Sequence, residues 1–277
     1  MPQLATTAAF GFGDFDPPVI LSLYRRLGCT SCQFYRNEAN PPTVADARRI
    51  TSDAGLPIDS IHGLFGPGYD PSCPDESIRK RSVEVYRGEG ELAAALGGPR
   101  VVVHPSPTAP EGLKISEARR RERAAPFQKS LNDLAKIGEQ LGVVYLFENN
   151  PHNYWFGDDP LQVASMVRAM KHPSIRMCYD LGHAQMTGPV CERLEKCADV
   201  VSYLHVHDND AIADDHRMPG DGVMDWEQVG RTMAKLKLNV PAMLEVFYLR
   251  DKLEELTRTD LAEKLRRWLA VAGNRTR

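Results

Sequence analysis

Eight short apolar runs alternate along the chain with amphipathic stretches, and that alternation narrows the fold more than any other feature. The strand candidates are 6–12, 31–36, 57–62, 100–104, 143–148, 175–180, 199–205 and 242–246. Several are nearly continuous hydrophobic runs, as parallel strands covered on both faces are. Helical segments fall between them, at about 17–27, 43–54, 75–97, 115–141, 158–170, 187–197, 226–237 and 251–271. Within 115–141, Ala125, Phe127, Leu131, Leu134, Ile137 and Leu141 recur at the spacing of one helix face, and Gly142 supplies a stop. Strict alternation predicts an α/β chain folded as a single (β/α)8 barrel, with 1–277 as one domain. A doubly wound open sheet is the alternative. It would want a glycine-rich turn after the first strand, and Gly11-Phe12-Gly13 is too short for one, so no nucleotide cofactor is expected.

Charge then excludes partners. The formal net charge is −3 and the pI about 6.3, whereas a protein that lives on phosphate contacts carries a basic field. The longest basic run, Arg119-Arg120-Arg121 with Arg123, is interleaved with acids and reads as a solvated helix face. No nucleic-acid partner is expected. Nor is a membrane, because no apolar run approaches about 18 residues. Met1-Pro2-Gln3-Leu4-Ala5 has no basic segment leading into an apolar one, so no signal peptide is inferred and a cytoplasmic location is expected. The six cysteines are then expected to be reduced, and Cys29-x-x-Cys32 lacks the second pair that a zinc ribbon needs. The last residues, Gly273 to Arg277, are expected to fray.

Polar residues at strand ends carry the functional signal. The fifth strand ends in Glu148, the sixth in Asp180 and the seventh in His205, and the eighth contains Glu245, each after apolar residues. Burying such groups without partners is costly, and in a barrel four consecutive strand ends converge on one rim. Three crowded carboxylates repel unless a cation neutralises them. A carboxylate-plus-imidazole set suits Mn²⁺, Mg²⁺, Co²⁺ or Zn²⁺.

At these residues the chain resembles the xylose isomerase-like barrels, a group that includes sugar isomerases and epimerases and endonuclease IV. The resemblance rests on Phe147-Glu148-Asn149, on Asp180-Leu181-Gly182-His183, on His205 to Asn209, on Asp214 to Gly222 followed by Asp225-Trp226, and on Leu244-Glu245, in that order. It implies one metal held by Glu148, Asp180, His205 and Glu245. It also implies that Glu148 and Glu245 act as base and acid from opposite sides of a substrate carbon, next to a carbonyl that the metal polarises. His183 is then a contact to a substrate oxygen, and Arg217 falls near a substrate-contacting arginine in a looser register.

Further histidines follow the same rim. His62 ends the third strand, His104 the fourth, and Asp214-x-His216 follows the seventh. With His183 they match the additional zinc ligands of endonuclease IV, so a second or third metal is one reading of His62, His104, His183, Asp214 and His216. The other is that His62, His104 and His216 hydrogen-bond substrate hydroxyls. His207 alternates with His205 and is expected to point to the other side. Asn149 and Asn150 are placed to orient the glutamate. Among the aromatic residues near strand ends, Trp155 and Tyr69 lie in polar loops and are read as walls of the substrate pocket, whereas Phe12 and Phe247 fit core or pocket equally.

The function expected is a metal-dependent isomerase or epimerase of a small sugar-like substrate. Two alternatives stand beside it: a metal-dependent lyase or dehydratase on a keto sugar or cyclitol, and an apurinic-site nuclease, which the acidic pI opposes. Self-association as a homo-oligomer is left open by the sequence.

Overall fold

A computed structural model describes residues 3–269; Gly273 to Arg277 lie outside them. Eight parallel strands close a barrel in sequence order: β1 (Leu4–Phe10), β2 (Ser31–Arg36), β3 (Ile58–His62), β4 (Arg100–Val103), β5 (Val144–Glu148), β6 (Ile175–Asp180), β7 (Val201–Val206) and β8 (Ala242–Leu244). Ten helices accompany them among the described residues: α1 (Pro17–Arg26), α2 (Val44–Asp53), α3 (Glu76–Leu96), α4 (Glu117–Leu141), α5 (Pro160–Met170), α6 (Leu181–Thr187), α7 (Val190–Cys197), α8 (Trp226–Leu236), α9 (Arg250–Leu256) and α10 (Leu261–Trp268). The molecule is a (β/α)8 barrel.

By contacts the chain packs as two compact units, one comprising residues up to Asp59 together with those from Tyr203 onward, the other Ser60–Ser202. In the first, β1 pairs with β2 and β8, and β7 pairs with β8, with His205 opposite Met243 and Val206 opposite Leu244. Every residue of β1 is buried, as expected of a parallel strand covered on both faces. The Tyr24 hydroxyl of α1 donates to the Val246 carbonyl at 2.9 Å and anchors the chain just past β8.

In the second unit β4 pairs with β5 and β5 with β6, and Phe147 stands opposite both Val103 and Met177. Phe127 of α4 packs edge-on against Phe147, ring centres 5.2 Å apart. Local signals set the helix limits. Asp75 caps α3 by accepting from Ser77 and Ile78 amides. Gly142 closes α4 at φ +69°, a left-handed position that glycine occupies without a Cβ penalty.

Two expected helices differ from the sequence reading. The one expected at 187–197 starts only at Val190, because Gly188 takes φ 154°, ψ −156°, and Pro189 has no amide to donate; a separate helix that was not expected, α6, precedes it and ends at Thr187. The segment expected at 251–271 is interrupted between Leu256 and Leu261, and its last two residues lie outside the described ones.

Candidate active site

In the Ser60–Ser202 unit the polar strand ends gather around Glu148. Its side chain is fully buried. The Nε2 of His104 lies 3.2 Å from Glu148 Oε2, that of His62 3.6 Å from the same oxygen, and Nδ1 of His183 3.4 Å from Oε1. One donor atom from each of His62, His104 and Glu148 lies within 4.8 Å of the others. Asp180 ends β6 and begins α6 with no intervening loop. Its Oδ1 accepts the His183 amide at 2.7 Å, which caps the helix and places the His183 imidazole on its first turn. Burial pushes the pKa of His104 down, against the opposing pull of Glu148.

Backbone carbonyls fix the tautomers of two of these histidines. Nδ1 of His62 lies 2.8 Å from the Gly63 carbonyl oxygen, and Nδ1 of His183 2.8 Å from that of Asn149. A carbonyl only accepts, so Nδ1 carries the proton and Nε2 of the neutral ring keeps its lone pair.

In the other unit β7, β8 and the segment after β7 meet at Glu245. Nδ1 of His205 is 3.0 Å from Glu245 Oε2, and the Tyr35 hydroxyl of β2 donates a short hydrogen bond to Oε1. His216 sits at φ +48°, uncommon for a residue other than glycine, and its Nδ1 lies 2.9 Å from the Glu245 carbonyl oxygen. That contact leaves the Nε2 lone pair of His216 toward Asp214 Oδ2, 3.2 Å away. Reciprocal backbone bonds between Asp208 and Arg217, 2.7 and 2.9 Å, hold the segment in this shape.

A divalent cation fits the chemistry of these donors. The lone pairs of His62 Nε2 and His216 Nε2 both face carboxylate oxygens within 3.6 Å, an arrangement that repels until a proton or a cation lies between. His62, His183 and His216 each have a backbone carbonyl behind Nδ1, as metal-bound histidines commonly do.

Several residues sit differently from the sequence reading. His207 does not turn away: β7 ends at Val206, so strand alternation no longer governs it. Its ring stacks on His216 at 4.2 Å, and its Nε2 lies 3.6 Å from Asp214 Oδ1. Trp155 lies against α4, with the Arg123 and Arg119 guanidinium carbons 5.0 and 5.8 Å from its ring centre, while the neighbouring Tyr154 ring meets His104 at 5.6 Å. Arg217 pairs with Asp215 at 2.5 Å and with Asp210 at 3.5 Å. Phe65, half exposed, packs on His62 and His104 with ring centres 5.0 and 5.2 Å apart. Phe247 packs on Tyr35 and His216, at 5.7 and 5.3 Å. Tyr35 and Tyr154 went unseen in the sequence because an aromatic residue in or near a strand reads as core; the hydroxyl at the end of β2 was the available signal.

Residues 21–271 match the family model described as xylose isomerase-like TIM barrel, and the chain belongs to that family. Among individual proteins it is similar to the uncharacterized protein y4fM of Sinorhizobium fredii (strain NBRC 101917 / NGR234), 27% identical over 254 residues, which cover 81% of this chain and 79% of that one. Its fold is that of a D-tagatose 3-epimerase-like protein, with TM-score 0.71, 20% identity, and 98% and 100% of the two chains covered. It is likewise that of the E. coli 3-keto-D-glucoside 4-epimerase YcjR, with TM-score 0.74, 13% identity, and 98% and 100% covered. No helix among the described residues is long and apolar enough to cross a membrane.

Proposed function

We propose that the protein is a divalent-metal-dependent isomerase or epimerase of a small sugar-like substrate, with Glu148 and Glu245 as the acid/base pair. The observation that carries this reading is the setting of the two glutamates. Both are buried, Glu148 as the last residue of β5 and Glu245 directly after β8 rather than within it, and each faces imidazole nitrogens: Glu148 those of His62, His104 and His183, Glu245 that of His205. The strand order supports grouping them, since β5, β6, β7 and β8 are consecutive in the barrel and enzymes of this fold act at the C-terminal strand ends. Family membership, and structural neighbours named as sugar epimerases, support it further.

Glu148, Asp180, His205 and Glu245 would hold the ion, and Mn²⁺, Mg²⁺, Co²⁺ or Zn²⁺ suits that donor set. When bound, it supplies Lewis-acid polarisation of the carbonyl next to the reacting carbon. One glutamate takes the proton from that carbon and the other returns a proton on the opposite face. Tyr35 donates to Glu245 Oε1, which leaves Oε2 toward His205 and fixes the plane of the carboxylate. His62, His104, His183 and His216 present ring nitrogens to substrate hydroxyls. Arg217 is drawn back by its acidic neighbours and Trp155 by α4, so both act from the edge of such a site.

The same histidines with Asp214 also suit further metal ions, and the mutual closeness of His62, His104 and Glu148 favours that second reading of them. No nucleotide and no nucleic acid enters the reading.

The test is turnover of a panel of ketoses and aldoses by protein stripped with chelator and reloaded with each of the four metals, with products resolved by NMR. An epimer or isomer formed only after reloading supports the proposal. Dehydrated products would move it to the lyase reading, and cleavage of abasic duplex DNA to the nuclease reading. Metal-free protein as active as native would end the metal-dependent account.

A further inference from the structure

Arg123, which the sequence placed in the solvated basic run with Arg119-Arg120-Arg121, is instead buried in the Ser60–Ser202 unit, and so is the carboxylate it meets, Asp70. Its Nη1 donates to Asp70 Oδ1 and Oδ2 at 3.0 and 2.7 Å and to Ser72 Oγ at 3.1 Å. Asp70 and Ser72 belong to the connection from β3 to α3. The guanidinium also lies over the ring of Trp155, which belongs to the connection from β5 to α5. One side chain on α4 therefore grips two loops that follow different strands.

Each of those loops carries a ring onto the histidines near Glu148. Phe65, on the first, packs on His62 and His104. Tyr154, beside Trp155 on the second, packs on His104. Each loop also has a backbone anchor of its own, to α3 in the first case and to the connection from β4 to α4 in the second. The Asp70 amide donates to Ser82 Oγ at 2.8 Å, and the Trp155 amide to the Pro107 carbonyl at 3.2 Å.

A buried ion pair adds little net stability compared with well-packed apolar side chains, so stability alone explains Arg123 poorly. A planar guanidinium can bond a carboxylate along its edge while an aromatic ring covers its face; the compact ammonium of a lysine has no plane to divide between the two.

We propose that Arg123 is a positioning residue that couples the Phe65 loop to the Tyr154 loop, so that the two rings form one aromatic wall beside His62 and His104. The wall offers a stacking surface for the apolar face of a sugar ring. That last step rests on the proposed function; the coupling of the loops does not.

Hydrogen exchange read by mass spectrometry on the full-length protein separates the two. Asp70→Asn should speed exchange in the Trp155 loop, 150–157, and Trp155→Leu should speed it in the 63–75 loop, each on the order of tenfold, with peptides from β1 and α1 unchanged. Arg123→Lys should loosen both. If each variant loosens only its own loop, or if exchange rises uniformly along the chain, the coupling is wrong. With a ketose that the protein turns over, Arg123→Lys should raise KM more than it lowers kcat. An unchanged KM would remove the stacking role, and absence of any ketose turnover would count against the proposed function while the exchange result stood.

Discussion

The side chain of Asn149 spells out a two-way bond with the backbone of Asp180: its Nδ2 donates to the Asp180 carbonyl at 3.0 Å, and its Oδ1 accepts the Asp180 amide at 2.9 Å. The amide locks the end of β5 to the end of β6, next to Glu148 and at Asp180. Its own carbonyl faces His183 Nδ1. Asn149→Leu removes both side-chain bonds, and metal affinity should fall by roughly 10- to 100-fold, the usual cost of losing a group that orients ligands. Titration with Mn²⁺ or Zn²⁺ checks this; unchanged affinity would show that the strand ends hold their places without it.

Tyr35 makes a more selective prediction. Tyr35→Phe keeps the ring against Phe247 and removes the hydroxyl bonded to Glu245. Losing a hydrogen bond to a charged group costs about 1.5–3 kcal/mol, so kcat should drop by about 10- to 100-fold. Metal content measured after purification should not change. A variant that loses metal instead would make Tyr35 part of the binding framework rather than a support for proton transfer.

The proposed metal ligands are tested by Asp180→Asn and His205→Ala, which should abolish metal retention and turnover together. Circular dichroism must show the fold intact in both. Retention of a full equivalent of metal by either variant would remove that residue from the ligand set.

Cysteine chemistry tests the reading of Cys29-x-x-Cys32. Both thiols are buried and face carbonyls, Cys32 that of Leu56 at 3.1 Å and Cys29 that of Ala5 at 3.7 Å. Burial pushes both thiol pKa values up, so the reactive thiolate is scarce at neutral pH. A thiol reagent at pH 8 should label neither until the protein is unfolded. Rapid labelling of the native protein would reopen a redox role.

Much of this was legible in the sequence because it depends on short-range pattern. The limits of β2 and β6 coincide with the apolar runs at 31–36 and 175–180. Glu148 and Asp180 stand out because a carboxylate that closes an apolar run has few bland explanations. What escaped depends on geometry beyond the strand period. His207 follows the last residue of β7, where alternation no longer applies. Trp155 and Tyr154 share a segment bridged in antiparallel fashion to Thr108, so adjacent side chains part company, and the sequence does not say which one meets His104. The pairing of Arg123 with Asp70 joins residues far apart in the chain, and from sequence alone Arg123 belonged with the exposed arginines before it.

Proton transfer by Glu148 and Glu245 is the central claim, and solvent deuterium tests it most directly. In a two-base mechanism the returning proton comes from a different carboxyl than the one that removed the first, and that carboxyl equilibrates with D2O before turnover. Product formed in D2O from a ketose substrate should therefore carry deuterium at the carbon next to the carbonyl. Glu148→Gln and Glu245→Gln should each slow turnover by roughly 10²- to 10⁴-fold, the range for losing a general acid or base. One of them should still wash deuterium into unreacted substrate. Product free of solvent deuterium would point to a hydride shift between carbons and would contradict the two-glutamate mechanism.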